Sequence, residues 1–188
     1  MPFVVVYDAC VLYPAPLRDL LVRLGLTGLV QAKWTEQILE ECFRSIAQQR
    51  PDLTPQKLER SRRLLSEAIP DCQVKGYEAL AEGLTGLPDP DDRHVLAAAI
   101  RCGAQAIVTF NLKDFPQAEL ARYAIDAQHP DDFVLSLIDL DATAVARALR
   151  GQAAALKSPP RTAEELLEIL RQQGLVRSVA RLRESLGI

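Results

Sequence analysis

The sequence lacks a long hydrophobic run and an excess of positive charge. No apolar stretch approaches the roughly 18 residues that a membrane span requires. The stretch MPFVVVYDA has none of the basic residues that begin a signal peptide, so we expect no secretory leader. The net charge of −3 gives no electrostatic sign of a nucleic-acid binder. Any such activity must therefore depend on a local basic patch.

The sequence also has few cysteines, and they are far apart. Cys10, Cys42, Cys72 and Cys102 are separated by about thirty residues each and include no CxxC pair. This spacing fits neither a zinc ribbon nor a small disulfide-stabilised domain. We therefore expect reduced, mostly buried cysteines and a cytoplasmic protein.

Strand-like and helix-like segments alternate over residues 1–128. The apolar, β-branched run FVVVY at residues 3–7 is typical of a strand covered on both faces. The next segment, PLRDLLVRLGLTG, has a helical stripe of leucines: Leu17, Leu20, Leu21 and Leu24. The last strand is expected at Tyr123 to Ala127. The alternation predicts an α/β fold with a mostly parallel sheet and helices on both faces.

From Pro130 onward the patterns are only helical. Thr162 and Glu165 form a T-x-x-E capping box. An apolar stripe follows at helical spacing: Leu175, Val179, Leu182 and Leu186. We expect a first domain at residues 1–136 and a helical extension at 137–188, packed on that domain or across a dimer.

Several acidic residues fall where strands end. In a parallel sheet, the carboxyl ends of strands and the amino ends of the following helices share one edge, where ligands bind. Asp8 follows the first strand, and Asn111 and Asp114 follow the strand QAIVT. The helix before QAIVT runs in the opposite direction, so its amino end, near Asp91 and Asp92, also points to this edge.

Helical periodicity separates Asp92 from its neighbours. At 100° per residue, Asp92 falls within roughly 10–20° of the centre of the apolar stripe of VLAAAIRC. Asp91 lies at the flank of the stripe and is interpreted as a capping or surface residue. His94 lies on the opposite side, so we expect it on a solvated face. In the helix that follows Thr35, periodicity does not choose between Glu40 and Glu41.

Carboxylates that crowd together repel each other unless a cation holds them. A set of Asp and Glu oxygens, without His or Cys, suits Mg²⁺ or Mn²⁺ better than zinc. Such sites carry out phosphoryl transfer or phosphodiester hydrolysis. A haloacid-dehalogenase-type phosphatase is disfavoured, because Cys10 occupies the position of its second acid. A receiver domain is disfavoured because only one acid stands near the first strand.

Four segments together resemble the PIN-domain family of nucleases, which includes the VapC-like toxins. These are VVVYDACVLYP, WTEQILEECFRSI, DPDDRHVLAAAI and AIVTFNLKDFP, in this order. The resemblance covers residues 3–135. It favours Glu41 over Glu40 and agrees with the choice of Asp92. In the last segment it implies that Thr109, Asn111 and Asp114 line the site. One common form of that motif has Asp where Asn111 stands, so the number of metal ions, one or two, stays open.

The resemblance implies a Rossmann-like fold and a Mg²⁺- or Mn²⁺-dependent ribonuclease. It implies the catalytic residues Asp8, Glu41, Asp92 and Asp114, of which Asp8, Asp92 and Asp114 are metal ligands. It further implies an RNA substrate, a homodimer and an antitoxin partner. The alternative is a catalytically weak PIN domain that binds RNA or a protein. Cys10 adjoins the proposed site, where it is expected to be a small packing residue and not a nucleophile.

Overall fold

Four short parallel strands form one sheet in the computed structural model, which describes residues 3–187. The strands are β1 (Phe3–Tyr7), β2 (Val30–Lys33), β3 (Ala106–Val108) and β4 (Asp126–Gln128), in the order β2-β1-β3-β4. In β1, Val5 lies between Ala32 of β2 and Ala106 of β3. The two central strands, β1 and β3, are the ones followed by Asp8 and Thr109.

Helices surround this sheet and continue beyond it. Within residues 3–187 they are α1 (Ala9–Leu12), α2 (Ala15–Leu26), α3 (Glu36–Gln49), α4 (Pro55–Ala68), α5 (Glu78–Gly83), α6 (Arg93–Cys102), α7 (Gln117–Leu120), α8 (Pro130–Ala155), α9 (Ala163–Gln172) and α10 (Val176–Leu186). None of these helices has both the length and the apolar character that crossing a membrane requires. The predicted α/β fold with a parallel sheet and additional carboxyl-terminal helices is confirmed.

The core follows the predicted hydrophobic pattern. Val5, Val6 and Tyr7 of β1 are fully buried, and so is the whole of β3. The four leucines of the α2 stripe are also fully buried. Because β1 is central and covered on both faces, nearly all of its residues must be apolar.

Local signals set several helix ends. The Thr35 hydroxyl accepts a hydrogen bond of 3.0 Å from the backbone N–H of Ile38 and begins α3. Thr54, followed by a proline, begins α4 in the same manner. Helix α6 ends at Gly103, which adopts the left-handed conformation with φ of 66°.

The predicted bounds of the last strand are wrong. The sequence pattern placed it at Tyr123 to Ala127, but β4 spans Asp126–Gln128. A 3₁₀ turn occupies Ala121–Tyr123, and Ala124 is left-handed with φ of 56°. The apolar character of Ile125 comes from its burial in the core, since it precedes the strand.

Helix α8 contains a break at Asp141. Asp141 has non-helical φ and ψ angles of −154° and 85°. Its side chain accepts a 2.9 Å hydrogen bond from the backbone N–H of Ala144, as a capping residue does. The predicted domain boundary between residues 136 and 137 falls inside α8, and the division into two domains stays a prediction.

The carboxyl-terminal helices are packed. The predicted capping box of Thr162 and Glu165 begins α9. The stripe that leads into α10 is buried at Leu175, Val179 and Leu182. The buried Asp131 of α8 accepts hydrogen bonds from two backbone N–H groups in the first turn of α10, those of Arg177 (2.9 Å) and Ser178 (2.8 Å). One carboxylate thus anchors the last helix to α8.

Candidate active site

Asp8 is buried at the carboxyl end of β1, with 5% of its surface exposed. Its Oδ1 accepts a 2.7 Å hydrogen bond from the backbone N–H of Ala9 and caps α1. Its Oδ2 accepts a 2.7 Å hydrogen bond from the hydroxyl of Thr109. A buried carboxylate is tolerated when it has such partners. The side chain is therefore held in one orientation at the edge of the sheet.

Thr109 connects Asp8 to the turn after β3. Its side chain is fully buried, and its hydroxyl oxygen accepts a 3.0 Å hydrogen bond from the backbone N–H of Asn111. The carbonyl of Asn111 in turn accepts a 3.0 Å hydrogen bond from the backbone N–H of Asp114. One turn at the sheet edge thus contains the three residues that the resemblance selected: Thr109, Asn111 and Asp114.

Asp92 lies at the amino end of α6 and is half-buried, as periodicity predicted. It makes no capping hydrogen bond with its side chain. Asp89 provides the side-chain cap here, accepting a 2.9 Å hydrogen bond from the backbone N–H of Asp91. Asp91 is exposed, so its prediction as a surface residue is confirmed, whereas the capping role belongs to Asp89. Capping therefore does not explain why Asp92 is acidic.

Electrostatics set Asp92 apart from the other carboxylates. The pKa of Asp92 is raised from 3.8 to about 7, and burial is the largest cause. The negative charges of Asp8, Asp89 and Asp114 contribute to the same rise. Like charges that face each other disfavour ionisation. A cation placed among them would relieve this repulsion.

The structure distinguishes Glu41 from Glu40. Glu40 is exposed and pairs with Arg44 on the outer surface of α3, at 3.1 Å. Glu41 is half-buried and faces the edge of the sheet. The packing of α3 thus brings Glu41, and not Glu40, to the cavity that Asp8 and Asp92 line, and the catalytic role of Glu41 stays a prediction.

A cavity of about 370 Å³ brings the candidate residues together. The side chains that bear on its chemistry are those of Asp8, Cys10, Tyr13, Glu41, Asp92 and Asn111. Asp114 does not line this cavity, although it is near enough for its charge to raise the pKa of Asp92. Thr109 stands behind Asp8 and supports it. The cavity is therefore acidic and lined by oxygen donors.

Two free thiols line this cavity, those of Cys10 and Cys42, and Cys10 is the one that contacts Asp8. Its Sγ lies 3.3 Å from Oδ2 of Asp8 and accepts a 3.3 Å hydrogen bond from the backbone N–H of Phe110. Burial and the charge of Asp8 raise the pKa of the Cys10 thiol to about 12. Because the thiolate is the reactive form, Cys10 is unsuited to be a nucleophile at neutral pH.

The prediction for His94 is wrong. The side chain was expected on a solvated face, but only 6% of it is exposed, and its Nε2 lies 2.9 Å from Oε1 of Glu41. The stripe used for the prediction described one face of α6, whereas residues 94–99 are all buried. Ala97 and Ala98, three and four residues further on, share the face of His94. Their small apolar side chains were the signal that this face is covered.

The donor set fits a hard divalent cation held in part by water. Within residues 3–187, no three His, Cys, Asp or Glu side chains form a ready-made metal cage. Mg²⁺ does not need one, because it is usually bound through one or two carboxylates and keeps several waters. Asp8 and Asp92 supply two carboxylates at the same cavity, and the amide of Asn111 supplies a further oxygen.

Comparisons with known proteins agree with this architecture. Residues 4–113 match the profile of the PIN domain, and residues 130–184 match that of the VapC50 C-terminal domain. Over 82 residues the chain is 49% identical to "Putative ribonuclease VapC50" of Mycobacterium tuberculosis (strain ATCC 25618 / H37Rv). This alignment covers 44% of the chain and 48% of the relative, so the chain matches about half of that protein's length. No solved structure matches the chain.

The PIN-domain match includes β1 and β3 and extends over more than half of the 188 residues. It therefore contains three of the elements that form the cavity: the end of β1, helix α3 and the start of α6. The resemblance seen in the sequence is confirmed: the chain belongs to the PIN-domain family.

Proposed function

We propose that this protein is a metal-dependent endoribonuclease that hydrolyses phosphodiester bonds in RNA, as the toxin of a toxin–antitoxin pair. The main support is the meeting of Asp8, Glu41 and Asp92 at one cavity, from three separate elements of the fold. A relative bears the name of a ribonuclease, and metal dependence is general among PIN-domain ribonucleases.

The proposed metal ligands are Asp8, Asp92 and Asp114, and the proposed ion is Mg²⁺ or Mn²⁺. When bound, the ion would neutralise charge on the phosphate and favour deprotonation of a water molecule. Asp8 is suited to this role because two hydrogen bonds fix its orientation before the ion arrives. Asp92 and Asp114 bring two further charges, whose repulsion the ion offsets.

Glu41 is the proposed general base. A general base must stand within reach of the attacking water and keep an oxygen available for its proton. Glu41 lines the cavity, and its Oε2 has no hydrogen-bond partner within residues 3–187. Water would attack phosphorus while Glu41 accepts its proton. The bond from phosphorus to the leaving oxygen breaks, and that oxygen takes a proton from solvent. Thr109 and Asn111 support the turn that presents Asp114.

The wider proposal includes a cognate antitoxin, a homodimer and a location in the cytoplasm. The match of residues 130–184 to the VapC50 C-terminal domain supports placing the chain among VapC-like toxins. Light scattering at several protein concentrations measures the dimer. Induction of the wild-type chain in a bacterial host should stop growth, and induction of Asp92→Asn should not.

The test of the enzyme is cleavage of a mixed RNA pool with Mg²⁺, with Mn²⁺ and with EDTA. The wild-type chain should cut RNA with either ion and not with EDTA. Asp92→Asn should be inactive, whereas the matched control Asp91→Asn should retain activity. RNA that binds but stays intact under all conditions would overturn the nuclease and favour the catalytically weak binding module.

A further inference from the structure

A buried imidazole contacts the proposed general base. His94 of α6 places Nε2 at 2.9 Å from Oε1 of Glu41 on α3. A second and weaker donor, the side-chain amide of Gln37, reaches the same oxygen at 3.4 Å. Both contacts involve Oε1, and Oε2 has no partner within residues 3–187. One end of the carboxylate is therefore held while the other is available.

The surroundings of the ring determine which nitrogen carries the hydrogen. His94 Nδ1 is buried and has no hydrogen-bond partner within the described part of the chain. A hydrogen on Nδ1 would be a buried donor without an acceptor. This costs more free energy than a buried lone pair on Nδ1 without a donor. The hydrogen therefore belongs on Nε2, the nitrogen that faces Oε1 of Glu41.

Packing alone does not account for a histidine here. The positions that share its face, Ala97 and Ala98, are fully buried and apolar. An apolar side chain at position 94 would leave no orphaned nitrogen. Gln37 is itself restrained, because its Oε1 accepts a 3.3 Å hydrogen bond from the hydroxyl of the buried Tyr77. A network of polar side chains thus converges on one oxygen of Glu41.

We propose that His94 is a positioning residue for the hydrolysis, and that it acts through Glu41. Its Nε2–H fixes the Glu41 carboxylate by Oε1, so that Oε2 is presented to the attacking water. This role rests on the proposed function of Glu41 as the general base. Misplacement of a catalytic group by an ångström can lower the rate on the order of 100-fold, so loss of the contact should reduce turnover more than substrate binding.

Three substitutions of His94 separate positioning from packing. His94→Gln keeps a donor nitrogen at the same number of bonds from Cβ as Nε2. His94→Asn carries its amide one bond short, and His94→Leu has none. In RNA cleavage, His94→Leu and His94→Asn should lower kcat by about 10- to 100-fold with little change in KM, and His94→Gln should retain most of kcat. Equal kcat for His94→Gln and His94→Asn, or full activity for His94→Leu, would overturn the proposal.

A double substitution tests whether His94 acts through Glu41. If it does, the pair Glu41→Ala with His94→Leu should be no slower than Glu41→Ala alone, because the positioned group is already absent. A further loss in the double variant, equal to the loss in His94→Leu, would show an independent role and contradict the proposal. Thermal melts of each variant identify any loss of folded protein.

A measurement without metal or RNA separates failure of this inference from failure of the proposed function. Nitrogen-15 NMR of the metal-free, full-length protein should show the hydrogen of His94 on Nε2. Glu41→Ala should shift the Nε2 signal, and Asp91→Asn should not. A signal unchanged by Glu41→Ala would overturn the contact, whatever the activity. A normal NMR result for a wild-type chain that cuts no RNA would instead overturn the nuclease function and, with it, the positioning role.

Discussion

The hydroxyl of Thr109 donates a 2.7 Å hydrogen bond to Oδ2 of Asp8, joining the ends of the two central strands. Thr109→Val keeps the shape of the side chain and removes this donor. We expect a loss of about 1–3 kcal/mol in the free energy of unfolding, because Oδ2 of the buried Asp8 loses its shortest hydrogen bond and keeps the weaker contact with the Cys10 thiol at 3.3 Å. RNA cleavage should fall as well, since Asp8 is then held less firmly.

The control for this prediction is Thr109→Ser, which retains the hydroxyl. Its activity should stay near that of the wild-type chain, and its urea unfolding curve should move less than that of Thr109→Val. If both variants behaved alike, the methyl group and not the hydrogen bond would be the important part of Thr109.

Asp92→Asn should abolish cleavage and weaken metal binding, because it removes a formal charge needed to hold a divalent cation. Asp91→Asn should retain most of the activity, since Asp91 is exposed. Its stability should change by less than about 0.5 kcal/mol, as is usual at the surface. Titration with Mn²⁺ and cleavage of the RNA pool measure both effects. An active Asp92→Asn with an inactive Asp91→Asn would place the motif one residue earlier.

The stability of the metal-free protein should depend on pH because of Asp92. The pKa of Asp92 is raised from 3.8 to about 7, so the folded state binds the proton more tightly than the unfolded state does. Between these two values the folded state holds more protons, and its stability falls as the pH rises. Above about pH 7 Asp92 is ionised in both states, and its destabilising effect on the folded state is at its maximum.

The clearest measurement is the difference between the wild-type chain and Asp92→Asn in EDTA. Asp92→Asn should become the more stable of the two as the pH rises through this window, and added Mg²⁺ should reduce the difference. A difference that does not vary with pH would contradict the crowding of charges at this site.

Cys10→Ala should remain active, because the thiol is held protonated and takes no part in the proposed reaction. A thiol with a pKa of about 12 should also react slowly with iodoacetamide at neutral pH. Alkylation kinetics and RNA cleavage check the two halves of this prediction. Inactivity of Cys10→Ala in a protein that melts normally would require a chemical role for the sulfur.

Asp131→Ala should release α10, since two backbone N–H groups in its first turn lose their acceptor. Loss of a capping acceptor costs about 0.5–2 kcal/mol. Asp132→Ala is the matched control, because within residues 3–187 the side chain of Asp132 makes only an exposed pair with Arg177. Limited proteolysis between Lys157 and Arg161 reports on the packing of the tail. Faster cleavage in Asp132→Ala than in Asp131→Ala would contradict this anchor.

The features that the sequence predicted correctly depend on neighbours in the chain. The leucine stripe of α2 and the capping box at Thr162 are both encoded within a few residues. The inward position of Asp92 also follows from periodicity. These signals do not depend on knowing which other elements pack nearby.

The features that were missed depend on tertiary contacts. His94 is buried because α6 is covered on more sides than its main stripe indicates, and periodicity describes only one face. Ile125 was assigned to a strand since burial and strand formation favour the same apolar residues. The link between Thr109 and Asp8 joins residues 101 positions apart, so it becomes visible only when β1 and β3 are paired.

The anchoring of α10 by Asp131 has a practical consequence for anyone who shortens this protein. A fragment that ends at residue 136 keeps Asp131 but loses the backbone groups that satisfy it. It also removes the buried side chains of Leu175, Val179 and Leu182 and so uncovers the apolar surface on which they pack. Such a fragment would expose an apolar surface and leave the carboxylate of Asp131 without its hydrogen-bond donors. Its aggregation would therefore say little about the part of the chain that carries the candidate site.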